Sequence, residues 1–255
     1  MKNLFDLTGK VAIITGASSG IGVAVAKAYA EQGADVALFA RRAEKLESVA
    51  NEIRAMGRKA LAVRCDVGNE EQVEAGVEKV LAEFGKIDIL LNNAGIATAG
   101  GVDELSNEDW QKTMDVNING VYLMSKYVVR HMKERKYGRI INTASVNAIV
   151  GSKIAPRHAY NASKAAVLGI TTGMGTSLIQ YGITVNAIGP GLFKTEMTED
   201  TLFNEKMLGY YNQLSPAGRP GNLDEITGIA IYFASDAASY TTAQVIYVDG
   251  GWTAI

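Results

Sequence analysis

Short apolar runs alternate with longer amphipathic stretches along almost the whole chain, and that rhythm restricts the fold more than any other feature. Runs at 11–15, 35–39, 59–65, 87–92, 139–143, 183–188 and 244–248 read as buried strands. Between them, 20–32, 43–56, 69–84, 108–135, 158–181 and 223–234 carry helical periodicity. Strand followed by helix, repeated, implies parallel pairing through right-handed crossovers. The expected fold is therefore α/β, a single-domain, doubly wound parallel sheet of about seven strands with helices on both faces. No Pro- or Ser-rich linker interrupts the pattern, so residues 1–255 are read as one domain.

Charge and cysteine content narrow the partners. The 25 Lys+Arg against 27 Asp+Glu leave a formal charge of −2, with no concentrated basic face for nucleic acid or a membrane surface. One cysteine excludes an intrachain disulfide framework and suits a reducing, cytoplasmic setting. The first ten residues lack the apolar centre of a targeting segment, and no stretch reaches the roughly 18 apolar residues of a membrane span. With 27 Gly and only 4 Pro, the glycines are expected at specific backbone positions rather than in linkers.

Ligands of doubly wound sheets sit beyond the carboxyl ends of the strands, where strand order reverses. Directly after the first run stands Thr15-Gly16-Ala17-Ser18-Ser19-Gly20-Ile21-Gly22, opening into a helix. Glycines there let the backbone approach a pyrophosphate, whose charge a helix N-terminus favours. The second run ends in Phe39-Ala40-Arg41-Arg42. An acid at this place would bond a ribose 2′-hydroxyl, whereas arginines suit a 2′-phosphate. NADP(H) is thus expected over NAD(H), on Arg41 and Arg42. Asp66 reads either as an acceptor for the adenine amino group or as the N-cap of the helix that follows. Asn92-Asn93-Ala94-Gly95 would bring backbone close to the adenine ribose.

A tyrosine four residues before a lysine on a helix shares one face with it. Two such pairs exist, Tyr122 with Lys126 and Tyr160 with Lys164. Only the second follows a strand ending at the ligand edge, in Thr143-Ala144-Ser145; the first reads as a packing or surface contact. A free tyrosine has a pKa near 10, and lowering it by about 3 units takes roughly 4 kcal/mol of phenolate stabilisation. The Lys164 ammonium and the positive ring of an oxidised nicotinamide are suitable sources. Ser145 is placed to bond the substrate oxygen, and Asn117 to hold a water linking Lys164 to solvent.

Together these segments resemble the short-chain dehydrogenase/reductase family over almost the whole chain. The resemblance rests on Thr15-Gly16-x-x-x-Gly20-Ile21-Gly22, Asn92-Asn93-Ala94-Gly95, Asn117, Ser145, Tyr160-x-x-x-Lys164, Pro190-Gly191 with Thr195, and Val248-Asp249-Gly250-Gly251. It implies a Rossmann-like fold, a catalytic tetrad of Asn117, Ser145, Tyr160 and Lys164, direct hydride transfer and no metal. It also implies cofactor contacts at Gly16, Ser18, Ser19, Gly20, Ile21, Gly22, Asp66, Val67, Asn93, Ala94 and Gly95. Tyr160 and Lys164 would meet the nicotinamide ribose, and Pro190, Gly191, Leu192 and Thr195 would cover the carboxamide. A homotetramer is implied, assembled through the helices around 108–135 and 158–181 and the C-terminal strand.

The substrate is read from residues 192–214, the lid of such enzymes. Leu202, Phe203, Met207, Leu208, Tyr210, Tyr211 and Leu214 offer apolar area, and Lys153, Arg157 and His158 a basic rim. That pairing suits an amphipathic anion, so a hydroxysteroid or bile acid is the first expectation. The segments Phe193-Lys194-Thr195-Glu196-Met197-Thr198 and Leu4-Phe5-Asp6-Leu7-Thr8-Gly9-Lys10 instead resemble gluconate 5-dehydrogenase-type members, which act on sugar acids. A 3-oxoacyl carrier-protein reductase would dock its partner on Arg130, Lys133, Arg135 and Lys136, but Tyr181 stands where those enzymes commonly place another Arg. A non-catalytic NADPH-binding sensor or scaffold is the reading from a different class, and the intact tetrad opposes it.

Overall fold

A computed structural model describes residues 3–203 and 205–254, without the side chains at 200–202. Seven strands form one parallel sheet: β1 (Val11–Thr15), β2 (Asp35–Ala40), β3 (Ala60–Arg64), β4 (Ile89–Asn92), β5 (Gly138–Thr143), β6 (Ile183–Pro190) and β7 (Val245–Val248). Their order is β3-β2-β1-β4-β5-β6-β7. Ile14 of β1 lies between Leu38 of β2 and Leu91 of β4, so the central strands carry apolar residues on both sides. The helices are α1 (Gly20–Glu31), α2 (Ala43–Ala55), α3 (Glu70–Phe84), α4 (Asn107–Met114), α5 (Gly120–Arg135), α6 (His158–Leu178), α7 (Glu196–Leu202), α8 (Glu205–Leu214) and α9 (Thr227–Ala234).

Alternate strand residues point to opposite layers. Ala12 and Ile14 join Val25 and Tyr29 of α1, Leu46 of α2 and Phe233 of α9 in one core. Val11 and Ile13 join Val73 of α3, Met124 and Val128 of α5, and Leu178 of α6 in the other. Each such side chain, removed fully from water, contributes about 1.5–3 kcal/mol before chain entropy is counted. Tyr29, buried on α1, donates its hydroxyl to the Ala230 carbonyl at 3.1 Å and ties the two helices of the first layer. Local signals set the ends. The Asn69 side chain accepts from the Gln72 amide at 3.0 Å to start α3, and Gly85 ends it with a left-handed φ of 73°.

Strand ends agree with the sequence reading to within two residues; the expected helix 158–181 ends as a 3₁₀ turn over Ile179–Tyr181, and three further stretches also differ. The expected helix 108–135 is interrupted by a π-turn over Asp115–Asn119 between α4 and α5. The expected helix 223–234 opens as a 3₁₀ turn, Leu223–Ile226. Residues 192–214, read only as a lid, fold into α7 and α8. Among the described residues no helix is long and apolar enough to cross a membrane.

Candidate active site

Strand order reverses between β1 and β4, and a cleft opens there at their carboxyl ends. Its floor is the turn after β1. Gly16 has a φ of +66°, and a Cβ on it would stand 2.9 Å from the Ala94 Cα. Gly22 lies behind the loop rather than in the cleft wall: its Cβ would come within 2.4 Å of the Gly16 carbonyl oxygen, so only glycine lets α1 start this close. The Thr15 hydroxyl accepts from the amides of Asn93, at 2.9 Å, and Ala94, at 3.0 Å, locking the turn to the end of β4. Ser18, Ser19, Gly20 and Ile21 line the cleft, as do Asn93, Ala94 and Gly95. No side chain caps α1 and no acid stands in its first turn. The Ser19 hydroxyl accepts from Arg42 instead. A helix start left in this state favours an anion, so the loop fits a diphosphate.

The β2 end supplies cations. Arg41 and Arg42 both line the cleft, beside Ala40 where a ribose-binding acid would stand. Arg42 donates to the Ser18 and Ser19 hydroxyls, each at 2.9 Å, and to Glu196 of α7 at 2.7 Å. Lys45, one turn further along α2, pairs with the other Glu196 oxygen at 2.5 Å. Lys45 and Arg42 hold the Glu196 carboxyl far below the usual range, at about 2. Asp66 and Val67 line the cleft opposite these cations. The cap of α3 is Asn69, not Asp66, whose carboxylate accepts from the Gly68 amide at 3.1 Å in a local turn.

The catalytic side is built on α6. Tyr160 and Lys164 lie one turn apart and reach the cleft with Ser145, which follows β5. Tyr160 and Ser145 both line the cleft, where the Ser145 hydroxyl also accepts from the Asn147 amide at 3.1 Å. Burial pushes the phenol pKa up, while the Ser145 hydroxyl and the Arg157 charge pull it down. Lys164 is 4% exposed and its ammonium donates to the Thr143 carbonyl at 2.7 Å. Burial lowers its pKa to about 8.

Asn117 holds the loop after β4 beside Lys164. It sits in the π-turn beneath the cleft wall, 1% exposed. Its side chain accepts from the Ile96 amide and donates to the Ile96 carbonyl and the Ser163 hydroxyl, all at 2.9 Å. These bonds make the amide hold the loop after β4. Tyr122 and Lys126 lie away from the cleft: Tyr122 is exposed, and Lys126 pairs with Glu70 at 2.5 Å.

Pro190, Gly191 and Thr195 line the far wall. Leu192 does not; it is buried beside Tyr211 and Val248 in a separate hollow, because the chain reverses direction after β6. Its carbonyl accepts from the Gly221 amide at 2.9 Å, a backbone role. From residues 192–214 the cleft receives Phe193, Thr195, Met197 and Thr198. Of the apolar residues expected to face a substrate, the described side chains of Phe203, Met207, Leu208, Tyr210, Tyr211 and Leu214 do not line this cleft. Tyr211 stacks on Trp252 with centroids 4.8 Å apart, and Tyr210 and Leu214 are exposed. The Leu202 side chain lies outside the described residues. Sequence reasoning missed Lys45, Glu196, Thr143 and Ser163; of these only Lys45 carries a local signal, its helical i, i+3 spacing from Arg42.

The chain matches, over residues 16–253, the model of a protein family described as enoyl-(acyl carrier protein) reductase. It is 40% identical to a gluconate 5-dehydrogenase of Gluconobacter oxydans, covering 98% of this chain and 97% of that one. It is 41% identical to a 3-oxoacyl-[acyl-carrier-protein] reductase of a Synechocystis species, covering 96% and 97%. The solved structure of a gluconate 5-dehydrogenase from Burkholderia cenocepacia, in complex with NADP and tartrate, superposes with a TM-score of 0.95 at 37% identity, covering 99% of this chain and 98% of that one.

Proposed function

The chain belongs to the short-chain dehydrogenase/reductase family, oxidoreductases acting on CH–OH groups, and from that premise we propose that it interconverts a hydroxy sugar acid and its keto form with NADP(H), as gluconate 5-dehydrogenases do. The observation that carries the substrate class is the make-up of the cleft mouth. Of the α8 side chains, Tyr211 packs on Trp252 and Tyr210 and Leu214 face solvent, so these three are not offered to a hydroxysteroid. Arg157 opens α6 one turn before Tyr160, half-buried and with its charge felt at the phenol, where a hexonate carboxylate would find it. The sugar-acid reading therefore replaces the steroid one. The docking patch of a carrier-protein reductase is partly spent: Arg135 pairs with Asp88 at 2.9 Å and Lys133 lies over the Tyr181 ring.

The residues present fit the cofactor. The loop from Gly16 to Gly22 and the start of α1 would hold its diphosphate, and Arg41 and Arg42 its 2′-phosphate. Asp66 and Val67 would meet the adenine, and Asn93 to Gly95 the adjoining ribose. Tyr160 and Lys164 would meet the second ribose, and Pro190, Gly191 and Thr195 the carboxamide. When bound, NADP(H) supplies the hydride acceptor or donor. Tyr160 takes the hydroxyl proton during oxidation and returns it during reduction. Ser145 orients the reacting oxygen with its own hydroxyl, beside the Tyr160 phenol. Lys164 keeps positive charge near that proton, and Asn117 positions the loop that closes the cleft. A homotetramer is part of the same reading, formed where Tyr122, Ile179 and the edge-strand residue Ile246 are exposed.

Consumption of NADPH, followed at 340 nm with 5-keto-D-gluconate and with a keto bile acid at equal concentration, tests the substrate. Turnover of the keto-hexonate at least tenfold above the bile acid is expected; the reverse ratio would remove the sugar-acid reading.

A further inference from the structure

Arg42 stands where the proposed cofactor carries its 2′-phosphate, yet its guanidinium is already engaged. Its Nε and one Nη serve the Ser18 and Ser19 hydroxyls, and the other Nη serves Glu196 at 2.7 Å. Glu196 bridges Arg42 to Lys45, so one carboxylate is set against Arg42 of the phosphate site and the neighbouring Lys45. Arg41, exposed at the same edge, has no hydrogen bond or ion pair among the described residues. Three cations and one anion thus share this corner, and the anion belongs to the lid. A phosphate entering here meets a like charge close by, and must share or take over the bonds that Glu196 holds.

We propose that Glu196 is the residue that sets how strongly this chain prefers a 2′-phosphorylated cofactor, by occupying the Arg42–Lys45 cation pair until a 2′-phosphate displaces it. The inference rests on the NADP(H) reading of Arg41 and Arg42. Glu196 acts through those cations and is a positioning residue rather than a catalytic one. Because it opens α7, its displacement also unties the start of the lid from α2. A cofactor without the phosphate leaves that tie in place. Affinity for the phosphate and release of the lid are therefore coupled at one side chain.

The test is calorimetric titration of the wild type, Glu196→Gln and Glu196→Asp with NADP⁺ and with NAD⁺, without substrate. The Gln variant should raise the ratio of NAD⁺ to NADP⁺ dissociation constants roughly three- to tenfold, chiefly by tightening NADP⁺, as expected for an exposed pair partly screened by solvent. The Asp variant, which keeps the charge, should stay nearer the wild type. Amide hydrogen exchange over 196–202 should rise in the wild type with NADP⁺ and not with NAD⁺. A ratio that is unchanged or falls in the Gln variant overturns the proposal. If the wild type prefers NADP⁺ and the variant does so equally, only the role of Glu196 fails. If neither protein distinguishes the two cofactors, the 2′-phosphate site itself fails with it.

Discussion

The ammonium of Lys164 is bonded to the carbonyl oxygen of Thr143, 2.7 Å away, at the last residue of β5. A buried cation is thereby held at the carboxyl edge of the sheet, with a pKa lowered to about 8. Protonation at neutral pH opposes folding, because the unfolded lysine binds its proton more tightly. The destabilisation is full below about 8 and fades as pH rises toward the unfolded value near 10.5. Lys164→Met should abolish turnover. Its stability relative to the wild type should be greatest at pH 7, on the order of 1–3 kcal/mol once the lost carbonyl bond is counted, and should narrow by pH 10. Urea unfolding of both proteins at several pH values measures this; a gap that widens with pH would refute it.

Tyr160→Phe removes the proposed proton carrier and keeps the ring. Turnover should fall about 10²- to 10⁴-fold, with cofactor affinity within about threefold of the wild type. Rapid-mixing rates and cofactor titration on the same preparation separate the two effects. Retained turnover would take the acid/base role away from Tyr160.

Arg157 lowers the Tyr160 pKa against the effect of burial. Without that charge the phenolate forms at higher pH. In Arg157→Gln the rising limb of the oxidation rate should therefore move to higher pH, by up to about one unit for a half-buried charge near the surface. The KM for the sugar acid should rise at least tenfold while the KM for NADP⁺ holds. A pH–rate profile with the alcohol substrate shows both.

Asn117→Ala leaves the Ile96 amide and carbonyl without their partner. Buried groups orphaned in this way cost about 1–3 kcal/mol each. A loss of roughly 2–4 kcal/mol is expected, with weaker cofactor binding because the loop from Asn93 to Ile96 loosens. Thermal unfolding with and without NADP⁺ reads both; unchanged stability would mean the loop is held by other bonds.

Much of this molecule was legible from residue order. Strands such as 11–15 and 183–188 are buried on both faces, so they read as unbroken apolar runs whatever surrounds them. Gly16 and Ser145 are legible because each directly follows such a strand, and Tyr160 with Lys164 because they share a helix face at i, i+4. What escaped has no local period. The pairing of Glu196 with Arg42 joins residues far apart in the chain, and nothing near either one marks it. The π-turn at Asp115–Asn119 hides inside an ordinary amphipathic pattern, since one wider turn barely disturbs spacing. The lid is apolar in composition, but composition does not say which body a side chain faces. Tyr211 turned to Trp252.

The π-turn has a consequence for how this chain tolerates changes of length. A regular helix advances about 100° per residue, and the wider turn accommodates the extra rotation within Asp115–Asn119. Deleting one residue there would turn the wide turn into ordinary α-helix, leaving α4 near its present rotation relative to α5 but pulling Asn117 off Ile96. An insertion, with no further wide turn to absorb it, would swing α4 about its axis by roughly 100° and turn Thr113, buried with its hydroxyl on Thr98, out of its contact. The residue count between α4 and α5 is therefore as much a part of the active site as any side chain in it, and shortened or lengthened versions of this segment should be recovered only alongside loss of the cleft.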